Sequence, residues 1–381
     1  MRFLTDPKAI GLYLHVPFCE KKCAYCDFYS SFVTEDLLDA YEKRLIRVIY
    51  EWGGRVDRPI RTVYLGGGTP SLLGRRLPGV MQAVRKAFVL LPQAEITLEM
   101  NPGNRVESVL ENARKAGVNR LSIGAQSGDD QALALLGRRH TAADTLFCVA
   151  EARKAGFHNL SLDLMLGLPH STRESLRKDA EFLLAAAPEH LSAYLLKIEP
   201  NTLFARKRAE LSLPDEDEQA EQYLLLCEIL RENGWRHYEI SNFCREGFES
   251  RHNMIYWRDE EYLGIGPSAH SFLNGQRFYY PRDLRAFLKG NRPLPDGEGG
   301  GWEEYIMLAL RLKEGLVFSR LQERFGKRPG AAAAERLAPY RKAGLLTVDE
   351  RSIALTERGM LVSNSLITEI LNILGKDGEP I

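Results

Sequence analysis

At residues 11–16, apolar Leu12, Leu14 and Val16 alternate with Gly11, Tyr13 and His15, the period-two pattern of a β-strand with one apolar face. Further on, Leu38, Tyr41, Leu45, Val48, Ile49 and Trp52 recur at helical spacing and run into Gly53-Gly54, a helix stop. The strand pattern returns in TVYLG at 62–66, which enters Gly66-Gly67-Gly68-Thr69-Pro70, and in EITLEMNPG at 95–103. Between these two the apolar spacing predicts a helix over about 77–91. Strand, loop, helix is therefore the repeating unit.

An internal repeat extends it. ARKAGVNRLSIG at 113–124 recurs as ARKAGFHNLSLD at 152–163, and APEHLSAYLL at 187–196 is a fainter third copy. Each copy reads as a helix end, a turn and a strand. Six strands alternating with helices at a period of roughly 30–40 residues predict parallel βαβ units curling in one direction. With the aliphatic residues turned toward the helices, the other face carries Tyr13, His15, Tyr64, Glu99, Asn101, Ser122, Gln126, Ser161, Asp163, Ser192 and Tyr194. A parallel sheet buried on both faces reads as nearly continuous Val, Ile and Leu, so this polar face requires water or a polar ligand inside. The expected fold is α/β, a partial (β/α)6 TIM-like barrel with its site at the strand C-termini. Glu99 and Asp163 on the helix-facing side would exclude it.

A long helix is expected over about 216–233, stopped by Gly234, and the aromatic-rich stretch that follows is expected as strands and loops at the barrel's side. PLPDGEGGG at 293–301 has a linker's composition. Beyond it, short helices and LLTVDERSIALTERG, with VDERS as a hairpin turn, predict a small winged-helix-like domain. The expected domains are a barrel over 1–235, an aromatic extension over 236–292 and the C-terminal domain over 302–381.

Composition narrows the function classes. A 44% apolar, 27% charged chain of 381 residues has the make-up of a globular protein, with no run of about 18 apolar residues to span a membrane. The N-terminus has no signal-peptide pattern, so the expected location is cytoplasmic. Fifty-one basic and fifty-one acidic residues cancel, leaving no field to recruit nucleic acid. The C-terminal Arg320, Arg324, Lys327, Arg328, Arg341 and Lys342 are diluted by Glu323 and Glu335, and no nucleic-acid partner is expected.

Half of the six cysteines fall within one octet, CEKKCAYC, as Cys19, Cys23 and Cys26, too close together to staple a fold. Cys148 and Cys227 lie within helical patterns and read as core. Three soft thiolates hold a metal centre with one coordination position open. Zinc, with His15 completing the set, and an iron-sulfur cluster both suit them. Glu99, Gln126 and Asp163 on the inner face would supply polar contacts to a ligand at the open position, and the glycine run would let backbone groups approach it.

CEKKCAYC together with GGGTP, EMNPG, IGAQS and DLMLGLP resembles the radical S-adenosylmethionine superfamily, and over roughly residues 11–290 the oxygen-independent coproporphyrinogen oxidase family within it. The resemblance implies a [4Fe–4S] cluster on Cys19, Cys23 and Cys26, with S-adenosyl-L-methionine chelating the open iron. By motif it makes Tyr13, Tyr25, Gly67, Gly68, Thr69, Glu99, Gln126, Arg138 and Asp163 S-adenosylmethionine contacts. Two features depart from the oxidases. They carry a further cysteine where this chain has Phe28, and a longer arm before Tyr13.

His252-Asn253-Met254-Ile255-Tyr256-Trp257 instead resembles the HNxxYW mark of the HemW-like proteins, understood as haem chaperones. That resemblance implies haem as cargo and a haem-accepting protein as partner, with His252 and Tyr256 as candidate axial ligands and Tyr238, Phe243, Phe248 and Trp257 as apolar faces. The bland reading of His252 is a loop hydrogen bond. The alternative function is a radical S-adenosylmethionine oxidoreductase acting on a porphyrinogen. The amphipathic tail, Leu361, Leu366, Ile370, Leu371 and Leu374, reads as either a docking face or the closure of its own domain's core.

Overall fold

The computed structural model describes residues 8–103 and 105–375. Six strands, β1 (Ile10–Val16), β2 (Ile60–Gly67), β3 (Leu90–Met100), β4 (Arg120–Gln126), β5 (Leu160–Leu166) and β6 (His190–Leu195), pair in parallel in chain order. The crossovers carry helices α1 (Glu35–Gly53), α2 (Leu77–Ala87), α3 (Val106–Ala116), α4 (Ala142–Lys154) and α5 (Arg173–Ala185).

The termini of these helices follow local chemistry. Thr34 accepts a hydrogen bond from the Leu37 N–H and precedes acidic Glu35 and Asp36, which suit a helix N-terminus. Both repeat copies turn on a glycine in the left-handed region, Gly117 after α3 (φ 77°) and Gly156 after α4 (φ 84°).

Leu12, Leu14, Val63, Leu65, Leu98, Leu121, Ile123, Leu160 and Leu162 are buried in one core with the inner faces of the helices. Each such side chain contributes about 1.5–3 kcal/mol by leaving water. The polar residues between them face the other way, and Glu99 and Asp163 are on that inner side, as the alternation requires. The barrel stays open, because β1 and β6 do not pair and further strands extend both edges instead.

After α6 (Glu216–Glu232), the hairpin of β7 (Arg236–Glu239) and β8 (Asn242–Cys244) adds antiparallel to β6. Then α7 (Arg251–Trp257) leads to β9 (Tyr262–Ile265), a seventh parallel strand beside β1, followed by antiparallel β10 (His270–Leu273), β11 (Gln276–Tyr279) and β12 (Leu294–Glu298).

Three expectations are corrected. The helix expected over 77–91 ends at Ala87, since Phe88 is extended and Leu90-Leu91 open β3. The stretch expected as strands and loops contains α7, whose seven residues are too few to display a period. The expected linker at 293–301 includes β12, an edge strand with all five residues exposed that pairs with β11 through its backbone.

The C-terminal part folds as helices Trp302–Ala309, Phe318–Phe325 and Ala331–Lys342 with a three-stranded antiparallel sheet of Leu316–Val317, Ser352–Leu355 and Leu346–Val348. This is the winged-helix-like arrangement. Leu366, Ile370 and Leu374 of the last helix are buried, so the tail closes the domain's own core. Of the basic side chains, Arg320 pairs with Glu314, Arg324 with Asp259, and Lys327 lies over the Trp302 ring.

Candidate functional site

The cysteine loop springs from the C-terminal end of β1. Phe18 and Cys19 pair with Ser31 and Phe32 in a two-stranded ribbon, and the turn from Cys23 to Cys26 is pinned at Ala24, which donates to Leu136 O (3.0 Å) and accepts from Phe204 N (2.9 Å). Cys19, Cys23 and Cys26 are free thiols, each partly exposed, whereas Cys148, Cys227 and Cys244 are buried elsewhere. Burial pushes the Cys19 and Cys26 thiols up, so a bound soft metal would displace their protons. His15 does not join them. Its Nδ1 shares a hydrogen bond with Tyr13 Oη (3.0 Å) and its Nε2 one with Tyr29 O (3.3 Å).

The glycine run ending β2 lies against this loop. Gly68 N donates to Val16 O (2.9 Å) and Thr69 N to Phe18 O (2.7 Å), while Thr69 Oγ1 reaches Cys19 Sγ at 3.7 Å. A Cβ on Gly68 would sit 2.5 Å from Phe18 O and 2.9 Å from Phe18 N, backbone atoms that cannot swing aside. Gly68→Ala is therefore expected to cost about 1–3 kcal/mol in denaturant titration and to lower cluster occupancy with it. Unchanged stability and occupancy would mean that the two segments are not held this closely.

From Thr69 a polar chain crosses the mouth. Asn101 Nδ2 donates to Thr69 Oγ1 (3.2 Å), Arg138 donates to Asn101 Oδ1 (2.8 Å), and its other terminal nitrogen donates to Tyr25 Oη (2.8 Å). Gln126 belongs to the same group, for a Cβ built on Gly124 would lie 2.7 Å from Asn101 Oδ1, 3.2 Å from Gln126 Nε2 and 3.4 Å from an Arg138 nitrogen. Deeper in the bowl, Glu99 accepts from Tyr64 Oη (2.8 Å) and Gly67 N (3.1 Å), Ser122 Oγ approaches Asp163 at 3.5 Å, and the Tyr13 ring lies 6.2 Å from that of Tyr64. A cleft of about 530 Å³ opens beside the loop, lined by Cys23, Thr69, Asn101 and Arg138 among others. Thus the residues that the sequence placed on one face do converge.

Burial shifts both acids toward their neutral forms. Burial, reinforced by the nearby Asp163 carboxylate, pushes Glu99 up to about 7, and burial pushes Asp163 up to about 6 against the opposing charge of Arg138. A ligand presenting an ammonium or sulfonium would favour the ionised acids, so its affinity is expected to fall as pH drops through about 7. The same shift has a cost in the empty protein. A raised carboxyl pKa lowers stability as pH rises from the ordinary value near 4.5 and reaches its full effect above about 7. Between about pH 5 and pH 8 the ligand-free wild type should lose on the order of 1–3 kcal/mol relative to Glu99→Gln, measured by urea titration. Parallel pH profiles would contradict the shift.

The HNxxYW residues take a different place. His252 is 1% exposed on α7, beneath Tyr64. Its Nδ1 hydrogen-bonds Thr62 Oγ1 (2.7 Å), its Nε2 hydrogen-bonds Tyr256 Oη (2.8 Å), and its backbone N–H donates to Glu95 (3.1 Å). An axial bond from His252 to iron would require one of these ring contacts to break. Phe243 and Tyr238 are buried rather than presenting a free face.

One residue escaped the sequence reading. Arg120, at the base of β4, is 2% exposed, its Nε has no hydrogen-bond partner, and its charge acts on Glu99, Asp163, His190 and His252. It shares the inward parity of Ser122 and Gln126, which was the available signal.

The Radical SAM superfamily model matches residues 13–183 and the HemN C-terminal domain model residues 301–362. "Heme chaperone HemW" of Lactococcus lactis subsp. lactis (strain IL1403) is 34% identical over 373 residues, covering 96% of this chain and 98% of its own. The chain belongs to the HemW family. Another relative, "Radical S-adenosyl methionine domain-containing protein 1, mitochondrial" of Bos taurus, is 35% identical over 96% of this chain and 88% of its own. Among solved structures, Coproporphyrinogen III oxidase (HemN) from Escherichia coli shares the fold, with a TM-score of 0.81 at 24% identity over 97% of this chain and 90% of that one. HemW membership thus covers both the barrel and the winged-helix-like domain.

Proposed function

We propose that the chain is a haem carrier of the HemW type, which binds haem and passes it to an acceptor protein. Near-full-length similarity to proteins described as Heme chaperone HemW carries this reading. In it Cys19, Cys23 and Cys26 hold a [4Fe–4S] cluster, a set of three soft thiols that leaves one iron of the cubane open. S-adenosylmethionine would occupy that position, contacted by Tyr13, Tyr25, Gly67, Gly68, Thr69, Glu99, Gln126, Arg138 and Asp163. The fit is supported by the close approach of Gly68 to the Phe18 backbone, which sets the glycine run against the cysteine loop, and by two acids whose ionised forms a bound cation would favour. When bound, the pair would supply one-electron chemistry or a structural centre. The protein's own residues bind and orient: Arg138 braces Tyr25 beside the cysteines, and Tyr64 holds the Glu99 carboxylate.

Of the haem candidates His252 and Tyr256, His252 would have to release Thr62 or Tyr256 to bind iron, and in this reading it acts structurally. We place the activity in the cytoplasm, where free thiols persist; among the described residues no helix is long and apolar enough to cross a membrane. The competing reading, oxidation of a porphyrinogen, is tested directly. The cluster-loaded chain, given S-adenosylmethionine, a low-potential reductant and coproporphyrinogen under anaerobic conditions, is expected to yield no decarboxylated product. Sustained turnover would overturn the carrier assignment.

A further inference from the structure

A second constellation of metal-binding side chains lies far from the cysteine loop in sequence, where the barrel meets the C-terminal domain. Cys227 comes from α6, His237 from β7 and Glu357 from the helix Glu357–Leu361. Their ligand atoms, one thiol sulfur, one imidazole nitrogen and one carboxylate oxygen, all lie within 4.8 Å of one another.

The imidazole is the telling member. Both ring nitrogens of His237 are buried without a hydrogen-bond partner, and the backbone groups of Glu239 and Ile240 that approach the ring do not meet hydrogen-bond geometry. Phe243 stacks on the ring at 4.2 Å and Tyr223 meets it edge-on at 6.2 Å, so the ring is clamped in place. A buried imidazole that makes neither of its hydrogen bonds loses the full desolvation cost of both groups. A ligand that accepts its lone pair would remove part of that cost.

We propose that Cys227, His237 and Glu357 form a binding site for a zinc-type divalent ion that ties the C-terminal domain to the barrel. Thiolate, imidazole and carboxylate are the donors zinc takes, at bond lengths of about 2.0–2.3 Å, so the three atoms would close in from their present spacing of up to 4.8 Å. Three protein ligands leave a fourth position for water.

The surroundings carry an opposing charge, Lys313, which acts on both His237 and Cys227, and an opening. Cys227 is buried and Glu357 is partly exposed, so the entrance is on the carboxylate side. Arg231 now pairs with both oxygens of Glu357 at 3.1 Å, but its side chain is 62% exposed, so it can keep one oxygen while the ion takes the other. Burial pushes His237 down to about 4, which leaves the neutral ligand form at neutral pH. Burial and the Glu357 charge push the Cys227 thiol up to about 12, so metal binding must release a proton there.

The test uses the full chain with its cluster reconstituted, incubated with zinc and desalted, with retained zinc measured by mass spectrometry and the unfolding midpoint by calorimetry. The wild type should retain one zinc per chain and unfold at a higher temperature with zinc than without. Cys227→Ser and His237→Ala should lose both effects. Should either fail to fold, Glu357→Gln, at a partly exposed position, should still weaken zinc retention at least tenfold. Zinc retained equally by Cys227→Ser and Glu357→Gln, or lost on replacing Cys19, Cys23 and Cys26 together while Cys227→Ser retains it, would assign the metal to the loop and overturn the proposal. No retained zinc in the wild type would also overturn it.

Discussion

Replacing any one of Cys19, Cys23 and Cys26 with alanine is expected to leave the anaerobically reconstituted chain without a stable cluster, iron and sulfide falling from a full complement to near zero. Among the described residues no other cysteine lies in the loop to stand in. The other cysteines are buried at a distance, and both ring nitrogens of His15 are engaged by Tyr13 and Tyr29. A cubane held by two protein thiolates exposes a second iron to solvent and is lost. The fold should survive, because the loop lies at the barrel rim and its thiols are partly exposed; changes at such sites typically stay within about 0.5–1 kcal/mol. Iron and sulfide analysis alongside circular dichroism reads both outcomes. Full iron content in any of the three variants would remove the cysteine triad from the site.

His252→Ala is expected to act on the fold first. Truncation empties a fully buried space against the Tyr64 ring and strips partners from the Thr62 and Tyr256 hydroxyls, inside the contact that seats α7 on the sheet. Cavity and lost hydrogen bonds together should cost about 2–4 kcal/mol in a urea titration. Burial pushes the His252 pKa down to about 3 while the imidazole of the unfolded chain keeps its ordinary value near 6.5, so the wild type loses stability as pH falls below about 6.5, and the loss on replacement by alanine should shrink by about 2 kcal/mol between pH 8 and pH 5. With both ring nitrogens already engaged, the absorption spectrum of haem bound to the folded variant should match that of the wild type. A changed spectrum with unchanged stability would make His252 the axial ligand instead.

These residues show where sequence reasoning worked. Strands β1–β6 were legible because their faces differ so sharply: Leu12, Leu14 and Val16 against Tyr13 and His15, and Leu98 and Met100 against Glu99. The same alternation places Glu99 and Asp163 inside the bowl. The cysteine loop was legible for a simpler reason, since its ligands are adjacent in the chain.

What stayed hidden depends on contacts that sequence spacing does not encode. β12 buries no side chain and pairs with β11 through its backbone, so its polar composition read as a linker. α7 is too short for a period, and the burial of His252 follows from the docking of that helix on β2 and β3, through Thr62 and Glu95. Cys227 did read correctly as a core position. Its neighbour Glu357, however, arrives from a separate domain, and no local pattern announces the meeting.

The central claim, that this chain carries haem, is tested most directly by titrating the cluster-loaded protein with haem and following the Soret band. Saturable binding at one haem per chain, with the band shifted from that of free haem, is the expected result. A linear, unsaturated response indistinguishable from haem in buffer would contradict it.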